Sequence, residues 1–253
     1  MSTTKIALVT GGSRGLGKDM AINLAKKGID VLLTYNNNEA AAAEVVKTIE
    51  AMGQQAAALQ LNMSNLKSLD PFIKQVTTTL QSKWKTSAFD FLINNAGFGL
   101  GVSFETVTED FFDEMMNVQF KGIYFLTQKL VPFINKGGRI INISTGLARF
   151  TTPGYSVYAS MKGAMEILTK YMAKELGAKG ISANIVAPGP ILTDFNDGII
   201  RNNPHMIEHL SALSPLNRVG EAEDIGPVVA FLCSNDAAWI NGQRIEVAGG
   251  INL

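Results

Sequence analysis

Tyr158 and Lys162 stand four residues apart in Tyr158-Ala159-Ser160-Met161-Lys162, at the head of a long apolar-periodic run, so on a helix they share a face. That pairing has a chemical use. A phenol with an ordinary pKa of about 10 is a poor acid-base group at neutral pH, and a nearby ammonium favours its ionised form. Bringing it down to near 7 takes roughly 4 kcal/mol, within reach of one desolvated positive charge aided by a cationic ligand ring. The same spacing also arises by chance, with the tyrosine packed and the lysine solvated. Its weight therefore comes from what the rest of the chain places around it.

A second group of residues suits anion binding. Thr10-Gly11-Gly12-Ser13-Arg14-Gly15-Leu16-Gly17 follows a short apolar run and precedes a helical pattern. In such a strand-to-helix turn a pyrophosphate meets free backbone N–H groups and the positive helix end. The spacing G-x-x-x-G-x-G differs from the common G-x-G-x-x-G, and a ligand-free tight turn is the competing reading.

The elements that must position these residues alternate along the chain. Strands are predicted at 6–9, 31–33, 56–61, 89–93, 139–143, 181–186 and 244–247. Helices are predicted at 15–27, 39–52, 65–83, 108–135, 156–178 and 221–233. Apolar strands joined by helical crossovers predict an α/β fold, a doubly wound and mostly parallel Rossmann sheet of about seven strands with helices on both faces. The ligand crevice then lies at the carboxyl ends of the strands. The segment 190–215 mixes turn residues with scattered large apolar ones and is expected to form a lid over a single domain spanning 1–253.

Composition narrows the partners. The 253 residues carry 22 basic and 22 acidic side chains, which gives no electrostatic footprint for nucleic acid or an anionic membrane, so a small molecule is expected instead. Cys233 is the only cysteine, which rules out an intrachain disulfide and a cysteine-rich metal cluster, and no metal site is predicted. With no apolar stretch near the roughly 20 residues of a membrane span and no signal-like start, a cytoplasmic setting is expected.

Taken in order, TGGSRGLG, Asn94-Asn95-Ala96-Gly97, Asn117, YASMK, Pro188-Gly189 and a terminal NGQRIEVAGG closely resemble the short-chain dehydrogenase/reductase family, including its 3-oxoacyl carrier protein reductases. The resemblance covers essentially the whole chain. It implies a nicotinamide-dependent oxidoreductase that moves a hydride between cofactor and a carbonyl or alcohol. It also implies a homotetramer, with a dimer as the alternative. For the cofactor, the resemblance points to Gly11, Ser13, Arg14, Gly15, Leu16 and Gly17 in the turn, and to Asn62 and Met63 near the adenine. Asn94, Ala96 and Gly97, Pro188 and Gly189, and Ile191 and Thr193 fall on the nicotinamide side, together with Tyr158 and Lys162. At the end of the second strand, where a carboxylate would favour NAD, the chain has Tyr35, Asn36 and Asn37, while Arg14 offers a cation for an extra phosphate. NADP(H) is therefore expected over NAD(H).

In the implied reaction Tyr158 is the acid-base residue, Lys162 lowers its pKa and binds ribose, and Asn117 holds a water in a proton relay. The family's substrate-orienting serine falls, thirteen residues before the tyrosine, on Thr145; its neighbour Ser144 is the competing hydroxyl. Strand neighbours point to opposite faces, so one of the two reaches the site, and Thr145 is the expected one. Phe98, Phe150, Tyr155 and Phe195 are expected to line a hydrophobic substrate pocket. The alternative function is a non-catalytic nucleotide-binding protein of the same fold, which the threonine at 145 encourages.

Overall fold

The computed structural model describes residues 4–253, Asp197 by its backbone alone. Seven parallel strands form one sheet in the order β3-β2-β1-β4-β5-β6-β7: β1 (Ile6–Val9), β2 (Asp30–Tyr35), β3 (Ala56–Gln60), β4 (Phe89–Asn94), β5 (Ile134–Ile143), β6 (Ser182–Pro188) and β7 (Arg244–Val247). The helices are α1 (Gly15–Lys26), α2 (Glu39–Ala51), α3 (Leu69–Thr79), α4 (Glu109–Met116), α5 (Gly122–Leu130), α6 (Ser156–Leu176), α7 (Pro204–Ala212) and α8 (Gly226–Leu232).

Strand alternation sorts the core into two layers. Ile6 and Leu8 pack with α3, α5 and α6, whereas Ala7 and Val9 pack with α1, α2 and α8. Every residue of β1, β4 and β6 is buried, as expected of a parallel sheet covered on both faces. In β4 the register shifts between Phe89 and Phe91, so these two aromatics, two positions apart, enter opposite layers. Among the described residues no helix is long and apolar enough to cross a membrane.

The predicted alternation holds, with three differences that matter. The long helix expected over 108–135 is three pieces: α4, a π turn at Asn117–Lys121 and α5, closed by a 3₁₀ turn. Strand β5 begins at Ile134 rather than 139, because Ile134 pairs with Phe89 before the irregularity and Arg139 pairs with Phe91 after it. Strand β6 runs through Pro188, which pairs with Val247 at the strand's last position, where a missing N–H is tolerated.

Candidate active site

Leaving β1, the chain builds β2 and β3 on one side and then returns to lay β4 on the other, so the crevice at the carboxyl ends opens beside β1. The glycine-rich turn sits there under tight constraint. Gly11 has φ +66°, and a Cβ on it would lie 2.9 Å from the Ala96 Cα; a Cβ on Gly17 would lie 2.1 Å from the Gly11 carbonyl oxygen. Only glycine fits either position. Helix α1 starts after an extended, exposed Arg14 with no side-chain cap and no acid in its first turn, so its leading amides and dipole favour an anion. Ser13 and Leu16 are partly buried in the same turn, and Thr193 packs over Gly15, 3.7 Å from where a side chain would begin.

The turn is tied to the loop after β4 by a residue the motif reading passed over. Thr10 Oγ1 accepts from the Asn95 and Ala96 amides at 2.9 and 3.0 Å, and Asn95 Nδ2 donates to the carbonyls of Thr10 and Gly11 at 3.0 and 3.2 Å. Asn94, by contrast, turns its side chain away from the crevice. It donates to Thr127 Oγ1 and Asn142 Oδ1 at 3.0 and 2.8 Å, inside the layer under α5 and α6, because it continues the face of Leu92.

On the adenine side, Tyr35 is half-buried at the end of β2, and Asn36 and Asn37 are exposed, with no acid before Glu39. Two side chains here have partners of their own. Asn62 folds back on its own turn, its Oδ1 accepting from the Ser64 amide and hydroxyl at 2.9 and 2.7 Å. The Met63 side chain is buried in the core with Phe72 and Ile123 instead of facing a ligand.

At the reacting centre the α6 spacing brings Tyr158 and Lys162 together. Both are buried, with the lysine Nζ 5.7 Å from the centroid of the tyrosine ring and donating to the Ile143 carbonyl at 2.8 Å. Burial lowers the Lys162 pKa to about 8. Burial also pushes the Tyr158 phenol well above its ordinary value; the Thr145 hydroxyl pulls it down and Tyr155 pushes it up. The direction is opposite to the one expected from the lysine, because desolvation of the phenolate is the largest cause. Ser144 is buried and donates from Oγ to Glu166 Oε1 at 2.7 Å, away from Tyr158. Thr145, whose Oγ1 accepts from the Leu147 amide at 3.3 Å, is left as the hydroxyl on the Tyr158 side.

Aromatic residues surround this pair. Tyr155 packs edge-on against Tyr158 with centroids 6.5 Å apart, and Phe195 lies at 6.4 Å. Phe98 belongs to the same cluster, whereas Phe150 stands on the turn after Thr145 under the Arg149 guanidinium, at 5.3 Å, and makes no ring contact with Tyr158. Asn196 Oδ1 accepts from the Gly99 amide at 3.0 Å, docking the segment around Phe195–Gly198 onto the loop after β4. Pro188 closes β6, and Gly189 approaches Ala248 so closely that a Cβ would lie 2.9 Å from its Cα. Ile191 bridges to Gly220 and packs partly into the core beside α1.

The middle helices bring a different amide to the site from the one expected. Asn117 is half-buried at the head of the π turn, where its carbonyl accepts from Gly122. Gln119 is fully buried, and its Nε2 donates to the Phe98 carbonyl; a Cβ on Gly97 would lie 2.8 Å from the Gln119 amide. Its Oε1 has no hydrogen-bond partner among the described residues. A π turn inserts one residue into the helical repeat and so shifts which side chain faces the loop.

A family model described as enoyl-(acyl carrier protein) reductase matches residues 11–252. The chain is similar to the 3-oxoacyl-(acyl-carrier-protein) reductase FabG of Staphylococcus aureus, with 35% identity over all of both chains. It is also 35% identical to an NADPH-dependent aldehyde reductase-like protein of Arabidopsis thaliana, covering 97% of this chain and 93% of that protein. Among solved structures, the angucycline C-6 ketoreductase LanV with bound NADP superposes with a TM-score of 0.93 at 37% identity, covering 98% of this chain and 96% of that one.

Proposed function

The chain belongs to the short-chain dehydrogenase/reductase family, and from that premise we propose that it is an NADP(H)-dependent oxidoreductase of carbonyl and alcohol groups with Tyr158 as the acid-base residue. The observation that carries the reaction is the pairing of the buried Tyr158 and Lys162 at the end of β5, where Lys162 holds the Ile143 carbonyl and Thr145 follows two residues on. The cofactor fits what the structure offers: a glycine-lined turn, an uncapped α1 start, exposed Arg14, Asn36 and Asn37, and no carboxylate at Tyr35. Relatives named as reductases, one solved with bound NADP, support the same cofactor.

When bound, the nicotinamide ring supplies or accepts the hydride and, in its oxidised form, carries a positive charge. The protein's own residues handle the proton. At neutral pH the buried Tyr158 phenol holds its proton, which suits it to protonate a carbonyl oxygen during reduction. Thr145 steadies that oxygen, and Lys162, with a pKa near 8, stands close enough to neutrality to return a proton. We assign to Gln119 the relay position that the sequence suggested for Asn117. The Thr145 hydroxyl beside Tyr158 supports turnover over the non-catalytic alternative.

Phe98, Tyr155 and Phe195 favour a hydrophobic carbonyl substrate, covered by the segment 190–215 acting as a lid on one domain. Exposed Phe112, Tyr124, Phe125, Ile167 and Tyr171 on α4, α5 and α6 support self-association as a homotetramer, and a cytoplasmic setting is kept from the sequence. Sedimentation equilibrium is expected to give four times the chain mass; a monomer would remove that assignment. A screen of ketones, aldehydes and acyl thioesters, followed by NADPH absorbance, is expected to find a hydrophobic carbonyl that is turned over. No turnover across the panel would favour the binding protein.

A further inference from the structure

Thr145 and Ser144 are adjacent hydroxyls at the end of β5, and a partly buried ionic clamp contacts both residues. Ser144 continues the strand face of Ile140 and Asn142, toward α6, and its Oγ donates to Glu166 Oε1 at 2.7 Å. Glu166 lies one helical turn beyond Lys162 on the same face. From β7, Arg244 donates through Nε to the same carboxylate oxygen at 2.7 Å and through Nη2 to the Thr145 carbonyl at 3.1 Å. Its Nη1 pairs with Glu246 at 3.0 Å, and Glu246 in turn pairs with Arg149 on the turn that follows Thr145. The side chains of Arg244, Glu166 and Glu246 are 17%, 16% and 21% exposed, so solvent screens these contacts weakly.

We propose that Glu166 and Arg244 are positioning residues that select Thr145 over Ser144 as the hydroxyl facing Tyr158. Glu166 sequesters the serine hydroxyl. The planar guanidinium, with its donors fixed in a fork, holds the Thr145 carbonyl on the β7 side and so fixes the extended backbone, φ −159° and ψ 156°, from which the threonine side chain projects, its Oγ1 also accepting from the Leu147 amide at 3.3 Å. A threonine needs this support more than a serine would, because its methyl leaves fewer usable settings of the side chain. Neither residue touches substrate or cofactor; both act through Thr145. This inference rests on the catalytic reading above for its kinetic consequence and on geometry alone for the placement of Thr145.

Two measurements on the full-length protein separate those layers. The first uses threonine labelled with ¹³C at its methyl group, the Thr145 signal being assigned by Thr145→Val. Arg244→Met is expected to shift or broaden that signal, and Glu166→Gln, which keeps an acceptor for Ser144, is expected to move it less. An unchanged Thr145 signal in folded Arg244→Met overturns the proposal whether or not the protein turns over. The second is kinetic. Arg244→Met is expected to lower kcat by about 10- to 100-fold with the NADPH Kd unchanged, and to raise the alkaline pKa of the kcat profile as the Thr145 contact to Tyr158 loosens. In a Thr145→Val background the Arg244 change is expected to add little further loss, since both act through one hydroxyl. Multiplying losses would overturn the proposal. A moved methyl signal in a protein that turns over no carbonyl would leave the positioning intact and discard the catalytic reading.

Discussion

At the amino ends of the strands, buried Asp90 accepts from Lys5 Nζ at 2.8 Å, the Ile6 amide at 2.9 Å and Asn135 Nδ2 at 3.1 Å, while buried Asp30 accepts from the Gln55 amide and Trp84 Nε1, both at 2.8 Å. At the carboxyl ends, Lys162 is equally buried but donates one hydrogen bond, to the Ile143 carbonyl. The Tyr158 phenol there meets little beyond the Thr145 hydroxyl and aromatic rings. Burial demands partners for polar groups at both ends, and the two ends answer differently. The amino end uses charge to tie strands and loops together. The carboxyl end has a charged clamp around Arg244 as well, but it leaves the desolvated Tyr158 and Lys162 thinly partnered, and their protonation equilibria are displaced as a result.

The sharpest break in that comparison is Tyr158→Phe. It is expected to lower kcat about a thousandfold while the NADPH Kd and the melting temperature stay near wild type, measured by steady-state kinetics, titration and calorimetry. Lys162→Met is expected to lower kcat about a hundredfold and to raise stability at pH 7. The buried lysine has a folded pKa of about 8 against 10.5 ordinarily, so its charge costs on the order of 3 kcal/mol below pH 8. That cost is lifted as pH rises from 8 to 10.5, so denaturant midpoints of the two proteins should converge over that window.

Asp90→Ala is the converse test at the other end. It is expected to cost about 3 kcal/mol of stability, by urea unfolding, with kcat per folded molecule unchanged. The smallest contrast concerns the two amides of the π turn. Gln119→Leu should lower kcat/KM about tenfold and Asn117→Ala by less than about twofold; the reverse ranking would return the relay to Asn117.

Much of this was legible in the chain because the signals were local. Tyr158 and Lys162 needed only a helical repeat, and the strand–turn–helix around Gly11 needed only apolar periodicity and glycine. Asn94 was legible in principle, since counting alternate positions from Leu92 sends its side chain into the core layer under α5. What escaped depended on backbone irregularity or distance. The π turn shifts the helical phase with only Gly122 to mark it, where a Cβ would lie 2.6 Å from the Asn117 carbonyl oxygen, and so Gln119 was not weighed beside Asn117. The early start of β5 depends on the bulge opposite Phe89 and Phe91. Glu166 and Arg244 stand 78 positions apart, and only the laying of β7 beside β6 brings their charges to Thr145.

The contact between Gly99 and Asn196, with Phe195 resting near Tyr158, sets the energetics of access. One neutral hydrogen bond and one aromatic contact together contribute about 2 kcal/mol to holding the tip of the segment down, in addition to the Ile191–Gly220 bridge at its base. On the lid reading proposed above, uncovering Tyr158 requires only this tip to lift, with the base of the segment left in place. A carbonyl compound that needs the tip lifted would then bind with an apparent affinity scaled by the fraction of molecules in which it is up.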